Sequence, residues 1–510
     1  MANQHPQPDS SVARPAAAAT DDTRLDSGSA SDTEYLAKLG YKQELNRALG
    51  LFSSFGIQFS SIAVGSSMFT TLIVGLAFFG PASFWSFAGG GFLQVFVVGL
   101  ALAELVSAYP LAGGVYQINN RITKRPWIGW QSGWWLVIAH TVALPAIAVA
   151  ITPFVANWFG VSVTTTTQTL PWAIGLIVLV TLINLLGVRI ATFVNNIGVA
   201  AELAGILIIT IALLVVHHPT HSVSFLSNTG GKVVGGAWLK PALFALILPT
   251  YIISSFDSSG NAAEETHNAS RKAPMGLFMA NSAAWVFGTL LMALLLLAIK
   301  NLPAVLASPL PTKLILEGAV GNVVTSIFQA LAVAALIACM CVLQLTGVRV
   351  LWSQARDGQM PMAHWLHKVD RRHVPVTATL VVFVIAVIFT FWSSALTVLS
   401  ALTALAWALA YGVVVTSGFY AAVKKKLPAH PFSLGRFSPY VMGVAIVWSI
   451  ILCIALVWSN PKQVGLGMVG AIVVGIVLYL LVPRSRRGKV AGVSAHPVVE
   501  TDAEPVAETS

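Results

Sequence analysis

Twelve apolar blocks bounded by Pro, Gly or charge dominate the chain, near 51–79, 83–107, 131–158, 172–188, 195–216, 241–264, 276–299, 320–347, 376–392, 395–423, 438–459 and 463–482. A helix needs about 20 residues to cross the hydrocarbon of a bilayer, and only helices and closed barrels satisfy their backbone groups there without water. Blocks of this length predict helices. The expected fold is therefore all-α, a polytopic membrane protein with about twelve transmembrane helices. Charged residues are only 9% of the 510 and hydrophobic ones 56%, where a soluble domain carries roughly 25% charge.

Basic residues set the orientation of such a chain, because cytoplasmic loops retain Lys and Arg. With both termini in the cytoplasm, the inside segments hold 24 of the 29 Lys and Arg, leaving only Lys232, Lys240, Lys300, Lys313 and Lys462 outside. The net charge of +10 would suggest nucleic acid in a soluble chain. Here the charge lies in short loops, so no nucleic-acid partner is expected. Cys339, Cys341 and Cys453 fall in apolar segments and read as small buried hydrophobes. His217, His218 and His221 lie in an outside loop beside Pro219 without Cys or acid, so no metal site is expected there. The first 48 residues contain no apolar core, so no cleavable signal peptide is expected and the first block must direct insertion itself. Residues 1 to about 31 and about 485 to 510 read as disordered tails.

Two spans make poor continuous helices. The first carries Gly65-Ser66-Ser67 in its middle, and the sixth runs Ser254-Ser255-Phe256-Asp257-Ser258-Ser259-Gly260-Asn261. Backbone freed from a helix at mid-membrane survives only where it lines a cavity or binds something polar. The breaks occupy positions one and six, so they correspond if spans one to five and six to ten are inverted repeats, the usual sign of a secondary transporter's site. Two small-residue packing faces are the alternative. An Asp inside the second break is too costly for packing alone.

Four stretches carry a family resemblance. They are Leu36-Ala-Lys-Leu-Gly-Tyr-Lys-Gln-Glu-Leu-Asn-Arg47; Ala103-Glu104-Leu105 with Tyr109-Pro110-Leu-Ala-Gly-Gly-Val-Tyr116; Ser255-Phe256-Asp257 followed by Ala263-Glu264-Glu265-Thr266-His-Asn268-Ala-Ser-Arg271-Lys-Ala-Pro274; and Arg349 with Ala355-Arg356-Asp357-Gly358-Gln-Met-Pro361. Together they resemble the amino acid-polyamine-organocation transporter superfamily, most closely its amino acid/choline transporter branch. The resemblance implies a five-plus-five inverted-repeat core with helices one and six broken. Residues 1–48 would then be a tail with an amphipathic lead-in helix, 49–216 and 217–423 the two repeats, 424–484 two additional spans, and 485–510 a tail. It also implies alternating access, with the substrate's carboxylate on backbone amides of span one and its amine on carbonyls of span six. Half-helix ends suit this, because free amides meet an anion and free carbonyls a cation. The implied substrate site is Gly65, Ser66, Ser67, Tyr251, Ser254, Ser255 and Asp257, with Tyr251 as an aromatic gate. The chain departs from the family's frequent Gly-X-Gly at Gly65-Ser66-Ser67 and from its Gly at Ser255.

Glu104, Glu202 and Asp257 are the acids well inside apolar spans. Glu104 lies near the cytoplasmic end and reads as structural, while Glu264 and Glu265, six to eight residues before Arg271 and Lys272, read as ordinary surface pairing or helix-end chemistry. Glu202 sits among small residues without a basic partner nearby in sequence. In proton-coupled relatives a titratable group on span five stands at that position, so Glu202 is a candidate proton carrier, with Asp257 the other. No Gly-x-Ser-x-Gly, HExxH or P-loop is present. The expected protein is no enzyme and needs no cofactor: it is a permease for amino acids or related amines, coupled to protons, multi-pass in the plasma (inner) membrane. Choline, polyamine or other organocation carriage is the alternative, and from another class a channel, which would show a ring of like groups around a pore.

Overall fold

The computed structural model describes residues 49–487 apart from 112, 216–219, 373, 394 and 485. The expected lead-in helix, His217 and His218 lie outside them, as do nearly all of both expected tails. All twelve apolar blocks form helices. Span one is Leu51–Ile62 and Val64–Phe79; span two is Ser83–Leu93 and Leu100–Ala108, joined by a wider helical turn at Gln94–Gly99. Spans three to five are Pro126–Trp158, Thr166–Leu185 and Val188–Val215. Span six is fragmented into Leu239–Ala245, Ile247–Ile252 and Ser258–Asn261. Spans seven to twelve are Ala269–Leu297, Pro311–Arg356, Val376–Trp392, Leu396–Val423, Ser438–Ser459 and Leu466–Leu481.

Local chemistry sets the ends. Thr165 and Gln168 form a reciprocal cap that starts span four several residues before the apolar block. Proline stands in the first turn of spans three, eight and eleven, where its missing N–H costs nothing. Span eight is interrupted at Gly321, whose φ of 83° suits only glycine without strain.

Burial sorts the spans into layers. The most apolar stretch of span three is entirely buried and that of span ten 83% buried, against 22% for span twelve. Outer helices therefore present rows of large apolar side chains outward, among them Leu182, Ile454, Val473 and Leu480. Such a surface would aggregate in water and is the natural one in lipid. Spans one, three, six, eight and ten pack at the centre, and both helix breaks lie among them.

Candidate functional site

The first break falls at Ala63, not at the expected Gly65-Ser66-Ser67. Ala63 takes a left-handed φ of 45°, and the helix restarts so that Gly65, Ser66 and Ser67 form the first turn of its second half. A helix start leaves its first amides without carbonyl partners. Ser67 N already reaches Ala63 O. The amides of Gly65 and Ser66 are among the free ones, and a side chain takes them.

That side chain is Glu202. Its Oε1 accepts from Gly65 N at 2.6 Å and from Ser66 N at 3.4 Å, and its Oε2 accepts from Ser66 Oγ. The carboxylate thus occupies the amides that the resemblance assigns to the substrate's carboxylate. Gly65 permits this approach: a Cβ there would overlap Ile206 of span five and lie 3.3 Å from Glu202 Oε1. Ser67 points elsewhere, its Oγ donating to Ile62 O at 3.1 Å.

The second break lies where expected. Ser255 holds a left-handed φ of 56°, which explains why glycine is common there in the resembling family: a side chain in this region costs about 1–2 kcal/mol. Gln58 of span one spans the gap, donating from Nε2 to Ser255 O at 2.9 Å and accepting at Oε1 from Ser259 N at 3.1 Å. Freed groups on both sides of the break are thereby paired by one amide. Ser254 Oγ donates to Tyr251 O, the Ser255 and Ser258 hydroxyls hydrogen-bond to each other at 2.7 Å, and Tyr251 is buried with its hydroxyl unpaired.

Asp257 heads the short helix after the break. Its Oδ1 accepts from Tyr411 Oη of span ten at 2.7 Å, its Oδ2 from Asn261 Nδ2 at 2.7 Å, and His140 Nε2 of span three stands 3.6 Å from Oδ2. Gln58, His140 and Tyr411 were not among the residues read from sequence, and Asn261 was named only as the end of the second break. His140, an ionisable group inside an apolar block, carried a signal that a search restricted to acids passes over. Tyr411 carried none, since a tyrosine in a transmembrane helix is ordinarily packing.

A cavity of about 630 Å³ runs between spans one, five, six and eight, from Leu49, Glu265 and Arg349 to Asn195 and Ser258. Ser258 therefore lines it, while Ser66 is turned away onto Glu202. Glu265 pairs with Arg349 of span eight at 3.1 Å rather than with Arg271 or Lys272, and its carbonyl accepts from Leu49 N while His267 N donates to Leu49 O.

The sequence model of one protein family, amino acid permease, matches residues 49–482. The chain belongs to the amino acid permease family. The amino-acid permease BAT1 of Arabidopsis thaliana is 26% identical over 480 residues, 84% of this chain and 88% of that protein. Its homolog in Oryza sativa subsp. japonica is 25% identical with the same coverage. Thiamine transporter thi9 of Schizosaccharomyces pombe is 24% identical across 89% of this chain and 86% of its own length. This permease is thus a multi-pass secondary transporter of amino acids or related organic substrates, not an enzyme.

Two of the permease's signature stretches are each other's partners. Asp357 caps span eight and accepts from Tyr116 Oη at 2.9 Å and Gln117 Nε2 at 3.1 Å. The pairing locks the helix after span two onto the end of span eight. Gly113, at φ 92°, allows it, since a Cβ there would stand 2.8 Å from Ser353 Oγ.

Glu104 ties the permease's loop after span ten to the end of span two, accepting from Ser438 Oγ at 2.6 Å and Leu434 N at 3.0 Å, with His430 Nε2 at 3.4 Å. The hydrogen bond from His430 to Glu104 pushes the imidazole's pKa above its ordinary value. A raised histidine stabilises the docked loop fully below the ordinary value near 6.5, and the contribution is lost as pH rises through His430's own higher value. Trypsin cleavage at Lys424–Lys426 is expected to accelerate a few-fold over that alkaline window, in keeping with the about 1 kcal/mol that one hydrogen bond contributes. Normalised to His430→Gln, a rate that is flat with pH would refute the linkage.

Proposed function

We propose that the permease couples substrate movement to protons by alternating access, in the plasma membrane with both termini cytoplasmic, its core built from repeats 49–216 and 217–423 and followed by two additional spans in 424–484. The observation that carries this reading is the Glu202 carboxylate on the amides of Gly65 and Ser66. An ionised carboxylate competes for those amides with a substrate carboxylate. Protonated, it is a far weaker acceptor. Proton binding at Glu202 thus releases the Gly65 and Ser66 amides to an incoming zwitterion. The zwitterion's ammonium meets the broken sixth span at Tyr251, Ser254, Ser255 and Asp257, mostly through carbonyls, since the hydroxyls of Ser67 and Ser254 are already bonded to their own helices. Return of Glu202 to the ionised form expels the carboxylate, so proton and substrate travel together. Asp257 is the second acid placed to carry charge in the cycle.

Uptake into proteoliposomes of radiolabelled amino acids, choline, putrescine and thiamine, with and without an imposed pH gradient, tests substrate class and coupling together. At least one zwitterionic amino acid is expected to accumulate when the outside is acidic. Accumulation of the cations alone would replace the zwitterion reading, and accumulation indifferent to pH would remove the proton.

A further inference from the structure

Three observations converge on His140. It is fully buried in the middle of span three, its Nδ1 stands 2.8 Å from Leu136 O, and its Nε2 has no hydrogen-bond partner yet lies 3.6 Å from Asp257 Oδ2. A carbonyl oxygen only accepts, so Nδ1 carries hydrogen. In the neutral ring Nε2 is then a bare lone pair facing a carboxylate oxygen at 3.6 Å. One added proton removes the conflict. It rests either on Nε2, giving an imidazolium beside a carboxylate, or on Oδ2, giving a carboxylic acid that faces the imidazole.

We propose that His140 and Asp257 together hold one proton inside the membrane, a protonation site separate from Glu202 and built directly onto the broken sixth span. The surroundings define both of its states. With the proton gone, the Asp257 carboxylate keeps its bonds from Tyr411 Oη and Asn261 Nδ2, so a charged form survives without the imidazolium. With the proton present, the pair is neutral overall and suited to its apolar surroundings. Among the described residues, Tyr411 is the titratable group hydrogen-bonded to the pair. Span eight meets His140 with Gly347, whose added Cβ would stand 2.9 Å from His140 Cβ, and span ten adds the Trp407 ring edge-on at 5.8 Å.

The pair joins three elements with different constraints. Span three is continuous and buried through its most apolar stretch, span ten is continuous, and Asp257 sits on the segment that follows the left-handed Ser255. Any rearrangement of the break moves Asp257 relative to His140 and Tyr411 and so changes the pair's hold on its proton. By linkage, the proton equally biases the position of the break. The inference deepens the proton-coupled reading and rests on it for a role in transport, but the proton site itself is measurable without transport.

The test uses the full-length protein in lipid nanodiscs, without substrate or gradient, titrated from about pH 5 to about pH 9, the range in which histidines switch. Two signals are followed: the nitrogen resonances of ¹⁵N-labelled histidine and the infrared carbonyl band of a protonated carboxyl group. Beyond the titrations of His430 and Glu202, which His430→Gln and Glu202→Gln identify, one further titration is expected in which Nδ1 remains protonated while either Nε2 or the carboxyl band changes, and it should be absent from His140→Gln. Tyr411→Phe conserves volume and removes one hydrogen bond to the carboxylate, so the midpoint is expected to move to higher pH by about one to two units. Persistence of this further titration in His140→Gln, its indifference to Tyr411→Phe, or its absence from the wild type overturns the proposal. If the wild type titrates as expected but fails to accumulate substrate on a pH gradient, the coupling reading falls and the proton pair stands.

Discussion

Glu202→Gln is expected to abolish accumulation driven by a pH gradient while sparing counterflow exchange. Glutamine keeps an oxygen at the position of Oε1 to accept from Gly65 and Ser66, and like a protonated acid it holds the amides weakly enough for a substrate carboxylate to displace it. What it lacks is a proton to give up. A gradient of one pH unit is worth about 1.4 kcal/mol, so one-to-one coupling gives about tenfold accumulation in the wild type, and the variant should merely equilibrate. Exchange of labelled for unlabelled substrate at equal pH needs no proton movement and should continue. Tenfold accumulation by Glu202→Gln would show that Glu202 only locks span five against span one, leaving Asp257 with His140 as the group to examine.

Gly65→Leu is expected to remove transport almost entirely, by about 100-fold or more, with the protein still inserted and monodisperse in detergent. The added side chain collides with Ile206 and presses on Glu202 Oε1, forcing span one from span five where the Glu202 bonds are made. Losing hydrogen bonds to a charged group costs about 1.5–3 kcal/mol each. The milder Gly65→Ala meets the flexible Ile206 side chain first, so Ile206→Ala should restore part of its activity while leaving Gly65→Leu inactive. Wild-type uptake by Gly65→Leu would place the substrate elsewhere.

The architecture was legible because lipid imposes a rule on sequence. A chain with no water for its backbone must write each crossing as a long apolar block, and the twelve blocks return as twelve helical spans. The second break was legible for the same reason, since Ser254 to Asn261 offers neither helix propensity nor apolarity. The first was read two residues too late. The left-handed residue is Ala63, which has no sequence mark of its own, and the Gly65-Ser66-Ser67 run that attracted notice serves the restarting helix as its open first turn.

Partnerships across the bundle were set by packing alone. Sequence showed that Glu202 and Asp257 needed a reason to be in the membrane, because an unpaired acid there costs several kcal/mol, yet it gave no means of matching donors to acceptors. Glu202 was separated from Gly65 by 137 positions and Asp257 from Tyr411 by 154. Those pairings depend on which faces of spans one, three, five, six and ten meet. By itself, then, the sequence determined that this chain spans a membrane, where it crosses and where its sixth helix fails, since each follows from the local solvation of a contiguous segment. Only the tertiary structure decided that Glu202 holds the amides of span one, that Gln58 closes the gap in span six and that His140 faces Asp257, because a hydrogen bond between distant residues exists only once the helices that carry them are packed.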